Sequence, residues 1–199
     1  MTALKFFIFG LLAAAGALVG ELVLVTLASV LFNIDLTANY FDAVTALLIL
    51  AIAIEEVFKL ILLRQLFIIT KKTTARISLA LLFGSGFAFL EIFSKLTALP
   101  QPTLLAIFSW NFFGVFLIHV LTAGVLGGFL TAKKGFSVSY ALLAFLFASF
   151  LHLGYNLLII YNQGAIFIGI YLLGITTGFY WLQINLQDKK NSTIIEARH

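Results

Sequence analysis

The chain has 199 residues, 62% of them hydrophobic and only 10% charged, with a mean hydropathy of +1.13 and a net charge of +4. Water-soluble domains carry about 45–50% apolar and about 25% charged residues, so this composition excludes a soluble globular protein and a disordered chain. The absence of cysteine excludes a disulfide scaffold, a thiolate nucleophile and a Cys-ligated metal.

Six apolar runs follow one another, at about 6–32, 41–69, 77–97, 104–130, 138–161 and 165–184. A helix needs roughly 20 apolar residues to cross a bilayer, and none of the runs has the alternation of a lipid-facing barrel strand. The expected fold is therefore all-α: a polytopic membrane bundle of about six transmembrane helices. It forms one domain over residues 1–184, with a polar cytoplasmic tail at 185–199. The first run is too long for a secretory leader and reads as a helix. Cations fall in alternate connectors: Lys5, then Arg64, Lys71, Lys72 and Arg76, then Lys133 and Lys134, then Lys189, Lys190 and Arg198. That is ten of the twelve, and the positive-inside rule places both termini in the cytoplasm. Asp35, Asp42, Pro100 and Pro102 then belong to the outer face. The cations rim apolar runs instead of forming a patch, so the expected partner is the lipid bilayer and not nucleic acid. Four pairs of small residues stand at helix-packing spacing: Gly16 with Gly20, Gly84 with Ala88, Gly124 with Gly128, and Gly174 with Gly178.

The informative residues are the ionisable ones inside these runs: Glu21, Glu55, Glu56, Lys59, Glu91, His119 and His152. A charge at a helix centre costs about 2.5–3.5 kcal/mol on insertion scales, so these groups must pair, protonate or line a hydrated cavity. Glu55 and Lys59 are four apart and are expected to pair on one helix face. Gly84, Ala88, Glu91 and Lys95 form one stripe that can pack on a neighbouring helix while aiming Glu91 at it. His119 and Thr122 are three apart, and His152 and Asn156 four apart with Tyr155 beside them. Glu21 stands in no motif and is expected to have a packing or cavity role.

Chemistry narrows the choice. No Ser-His-Asp set is plausible, because Asp35 and Asp42 belong to the surface and Asp188 to the tail. Carboxylate and imidazole remain, a set suited to activating water for peptide hydrolysis. On this reading Glu55 is the base, assisted by Glu56 and positioned by His119. His152 and Asn156 donate to the oxyanion, and Lys59 neutralises the glutamate pair. Glu91 is a supporting residue. Two imidazoles and a carboxylate also suit Zn²⁺, with Glu55, His119 and His152 as the ligands if a metal is present. The HExxH helix of zinc peptidases is absent.

In order, the motifs are Glu55-Glu56-Val57-Phe58-Lys59, then Gly86-Phe87-Ala88-Phe89-Leu90-Glu91, then His119 with Thr122, then His152-Leu153-Gly154-Tyr155-Asn156. This series resembles the PrsW family of intramembrane proteases, which is related to the type II CAAX prenyl endopeptidases. The match runs from about 55 to 156, roughly half of the chain. Two positions depart from the prenyl-endopeptidase pattern: the basic residue, Lys59, comes one position early, and Glu91 stands where a histidine is usual. The resemblance implies an intramembrane endopeptidase in a prokaryotic plasma membrane, acting on a membrane-anchored or secreted protein. Glutamate chemistry is favoured by one side of the family and a metal by the other. The competing classes are a non-catalytic scaffold resembling Aph-1 and a proton- or cation-coupled transporter.

Overall fold

Long runs of Leu, Ala, Ile and Phe without internal proline favour helix, and in lipid a helix satisfies its own backbone. The computed structural model describes residues 2–32, 46–70, 76–98, 110–132, 137–178 and 180. Among the described residues there is no strand. The helices are α1 (Thr2–Phe32), α2 (Ala46–Ile69), α3 (Arg76–Thr97), α4 (Trp110–Ala132) and α5 (Val138–Ile160), followed by the shorter α6 (Ala165–Gly178). Each falls on one of the six expected runs. The connector residues Asp35, Asp42, Lys71, Lys72, Pro100, Pro102, Lys133 and Lys134, and the tail 185–199, lie outside the described residues.

α1, α3, α4 and α5 are long and apolar enough to cross a membrane. α2 has 24 residues but carries Glu55, Glu56, Lys59 and Arg64 along its length. Bulky apolar side chains point away from the bundle, Val30 at 76% exposure and Phe150 at 72% among them. Water would penalise such a surface heavily, whereas acyl chains solvate it.

The turn after α5 has a clear local cause. Asn162 adopts φ 49°, a left-handed conformation that Asn tolerates better than most residues. Its N–H donates to the Ile159 carbonyl at 2.9 Å and that of Gln163 to Leu158 at 2.9 Å, the paired bonds of a Schellman motif. Gly164 then accepts from Phe167 at 2.9 Å and starts α6.

Glycines set how closely the helices approach. α1 and α3 meet at Gly10 and Gly86, where an added Cβ would overlap the backbone carbonyls of Phe83 and Phe7 respectively. Gly84 faces the backbone of His119 and Val120 on α4, as the stripe on α3 predicts. Gly16 and Gly20 receive Phe58 and Ile54 of α2, which places these two helices antiparallel. The pair Gly174 and Gly178 has nothing within 4 Å among the described residues, so it does not join α6 to the bundle. α6 is held instead by Tyr171, whose ring lies against Gly154 and whose hydroxyl donates to the Leu151 carbonyl at 2.7 Å.

Replacing Gly10 or Gly86 by alanine is expected to cost about 1–3 kcal/mol, because backbone must move to admit the methyl group. Gly169→Ala, in open space, is the control. Thermal unfolding in detergent reads both; an unchanged midpoint in Gly86→Ala would contradict the crossing.

Candidate active site

α2 carries the centre of the site. Lys59 is fully buried, and its ammonium donates to Glu56 Oε1 at 2.7 Å, to His119 Nδ1 at 2.8 Å and to Thr122 Oγ1 at 3.2 Å. An ammonium has three protons and no lone pair, so its capacity is filled. The face of Phe87 lies 4.5 Å from the same nitrogen, an additional favourable contact for a cation. The expected pair, Glu55 with Lys59, is not formed: Lys59 turns to Glu56, three residues back. The reason lies outside the helix. The acceptors on α4 draw the ammonium to the face that bears Glu56, while Glu55 lines a cavity beside it.

Because a lysine ammonium only donates, Nδ1 of His119 must accept. Its other nitrogen, Nε2, then carries the proton and meets Glu91 Oε2 of α3. Glu91 also accepts from Lys95 at 2.6 Å on its other oxygen. His152 of α5 directs Nδ1 to Glu56 Oε1 at 2.9 Å. Glu56, already holding the lysine, serves as the acceptor, so His152 bears its proton on Nδ1. The two imidazoles stand edge to face, with centroids 4.9 Å apart. The network therefore joins α2, α3, α4 and α5.

Beside it lies a cavity of about 460 Å³. Its walls come from residues 14–21 of α1, 48–55 of α2, 87–95 of α3 and 152–160 of α5, so it occupies one end of the bundle. Glu21, Glu55, Glu91, Ser94, Lys95, His152 and Asn156 supply its polar lining. The remaining wall is largely alanine, leucine and isoleucine, including Ala14, Ala17 and Ala51.

The seven residues given a catalytic or supporting role in the sequence reading thus separate into two rows. Glu55, Glu91, His152 and Asn156 line the cavity, while Glu56, Lys59 and His119 stand behind it, fully buried. Glu55 Oε2 is buried without a hydrogen-bond partner and lies 3.8 Å from Nδ1 of both His119 and His152. Glu91, not His119, occupies the wall position on α3 and α4. Tyr155, the neighbour of Asn156, is buried against Gly114. Glu21, expected to have a packing or cavity role, lines the cavity, and Phe87, given no role from the sequence, underlies both Lys59 and His119, at 4.5 and 4.8 Å. Its place within the Gly86-Phe87-Ala88 segment was the available signal.

Glu55, His119 and His152 offer donor atoms within 4.8 Å of one another, the chemistry a zinc ion uses. The arrangement does not suit one. Both nitrogens of His119 are engaged, by Lys59 and Glu91, and Nδ1 of His152 is held by Glu56. A divalent ion among these atoms would also face the Lys59 ammonium, 2.8 Å from one of its ligands.

Comparison with family models, with curated proteins and with solved structures finds no match to this chain.

Lys59→Met is expected to destabilise the protein by about 3–5 kcal/mol, because it strands the buried Glu56 carboxylate. Adding Glu56→Gln should recover part of that loss. A thermal-unfolding cycle measures the coupling; additive effects would contradict a shared buried pair.

Proposed function

We propose that this protein is an intramembrane endopeptidase that hydrolyses a membrane-anchored or secreted protein with water activated by Glu55. The observation that carries the reading is the meeting of Glu55 with His152 and Asn156 on one cavity, with a carboxylate oxygen of Glu55 buried and unpartnered. A buried acceptor without a partner costs stability and calls for an explanation such as a catalytic role. The order of motifs resembling the PrsW family supports the same activity.

In the proposed reaction Glu55 takes a proton from water as the oxygen attacks the scissile carbonyl. The side-chain amide of Asn156 donates to the developing oxyanion. His152 has its Nδ1 proton held by Glu56, so Nε2 is the nitrogen left for the substrate. An unprotonated Nε2 cannot donate to an oxyanion as the sequence suggested, so His152 serves as a relay: Nε2 receives the proton that Glu55 took from water and passes it to the departing amine. The proton lost by water ends on the amine, and the hydroxyl on the new carboxyl group. Glu56 and His119 act through their neighbours: Glu56 orients His152, and His119 holds Glu91. Lys59 balances their charge. No step uses a metal.

Glu55→Gln keeps the shape of the side chain and removes the base. We expect it to lower cleavage by at least about 100-fold, with His152→Ala similarly impaired. The assay uses purified protein in liposomes with a pool of single-span membrane peptides read by mass spectrometry. Full cleavage by both folded variants would reject the assignment. Strong chelators should leave the wild-type rate unchanged, and inhibition reversed by zinc would restore the metal reading.

The same proposal includes six transmembrane segments with both termini in the cytoplasm of a prokaryotic cell. α2 crosses with its charges turned inward, as its buried Glu56 and Lys59 allow, and α6 is the core of the last span. The cavity then faces the outer side, since it lies toward the C-terminal ends of α3 and α5 and the N-terminal end of α2. This suits a substrate cut near the outer surface. Continuous helices throughout the described residues lack the paired breaks of many carriers. Fusions at residue 199 should fluoresce with a green fluorescent protein and stay inactive with alkaline phosphatase; the reverse result would overturn the topology.

A further inference from the structure

Glu21 is the one intramembrane carboxyl group that the proposed mechanism leaves unused. It lines the same cavity as Glu55, within reach of its carboxyl group. The packing of α1 on α2 explains how two acidic residues from different helices meet. Gly20 faces Ile54, and Gly16 faces the ring of Phe58. With no side chain at either glycine, α2 approaches closely, and the residues following Gly20 and Ile54 are Glu21 and Glu55.

The surrounding charges are already committed. Lys59 is bound to Glu56, and Lys95 to Glu91. Glu91 itself faces His119, and His152 is held by Glu56. Glu21 and Glu55 are left to each other, and a hydrogen bond between two carboxyl groups needs one of them to donate. Glu55 Oε2 lies 3.8 Å from Nδ1 of both histidines, so a bond from Glu21 to the other oxygen leaves Oε2 directed toward them.

We propose that Glu21 is a positioning residue for the reaction: α1 reaches through the Gly16 and Gly20 contact to hold one oxygen of Glu55, so that the other is aimed at the attacking water. This deepens the proteolytic reading and rests on it. The role needs a hydrogen-bond donor of the right length and needs no negative charge. Glutamine therefore fills it, and alanine does not.

The test combines kinetics with a proximity measurement on the full chain. Glu21→Ala should lower kcat by about 10- to 100-fold while KM changes little, because the base is misdirected and the rest of the cavity is intact. Glu21→Gln should restore kcat to within a few-fold of wild type. The lack of native cysteine lets a Glu21→Cys and Glu55→Cys double variant be cross-linked cleanly by a short bis-methanethiosulfonate reagent. We expect efficient cross-linking whether or not that variant cleaves anything. A wild-type kcat in Glu21→Ala, or equal impairment in Glu21→Gln and Glu21→Ala, overturns the positioning role and leaves the protease standing. Failure to cross-link overturns the geometry itself. If the cross-link forms but wild-type protein cleaves no peptide, the proteolytic reading falls and takes this role with it.

Discussion

A lysine ammonium with no access to solvent constrains the whole site. Lys59 is expensive to bury, and the cost is offset only when each proton has an acceptor and a carboxylate balances the charge. Glu56 supplies the countercharge from the same helix, while His119 and Thr122 must come from α4. That requirement fixes the rotation of α2 against α4. Once Glu56 is committed to Lys59, its contact with His152 draws in α5, and the second nitrogen of His119 draws in Glu91 from α3. Association between helices in lipid lacks the hydrophobic driving force found in water. A directional network of this kind provides specificity that apolar packing alone does not.

The network divides the polar residues by task. Those at the back, Glu56, Lys59 and His119, are closed to solvent and tied to one another or to neighbouring helices, although Oε2 of Glu56 has no hydrogen-bond partner. Those at the front keep an unsatisfied atom, or a surface, turned to the cavity. A buried polar group without a partner destabilises the fold, so Glu55 Oε2 represents stability withheld from the native state. The rigid back row makes that arrangement tolerable, since the groups around the strained position cannot relax. On the proposed proteolytic reading, preorganisation of this sort would let electrostatic catalysis act without rearrangement during the reaction. The alanine-rich wall from α1 and α2 keeps the remaining space open, where longer side chains would fill it.

The helices were legible in the sequence because their signal is length and apolar content, which do not depend on tertiary contacts. The stripe Gly84, Ala88, Glu91 and Lys95 was equally legible, since helical periodicity alone puts those residues on one face. Gly10 and Gly86 were missed as packing glycines because the short pattern sought was a pair on one helix, whereas here one glycine on each of two helices makes the crossing. Lys59 was assigned to Glu55 because both i–3 and i–4 partners are in reach, and the choice depended on acceptors on α4. Glu21 had no motif around it at all; its meaning comes from the register of α1 on α2, and that register is set by Ile54 and Phe58. Local pattern thus predicted which residues matter, and three-dimensional packing decided which of them touch.

The account turns on where the histidine protons lie, because the bonds of Lys59 determine both tautomers. Nitrogen NMR of protein labelled in histidine reads this directly, with His119→Gln and His152→Gln variants to assign the signals. The expected result is a proton on Nε2 of His119 and on Nδ1 of His152. A His119 protonated on Nδ1 could not accept from Lys59, and that result would contradict the network on which the site is built.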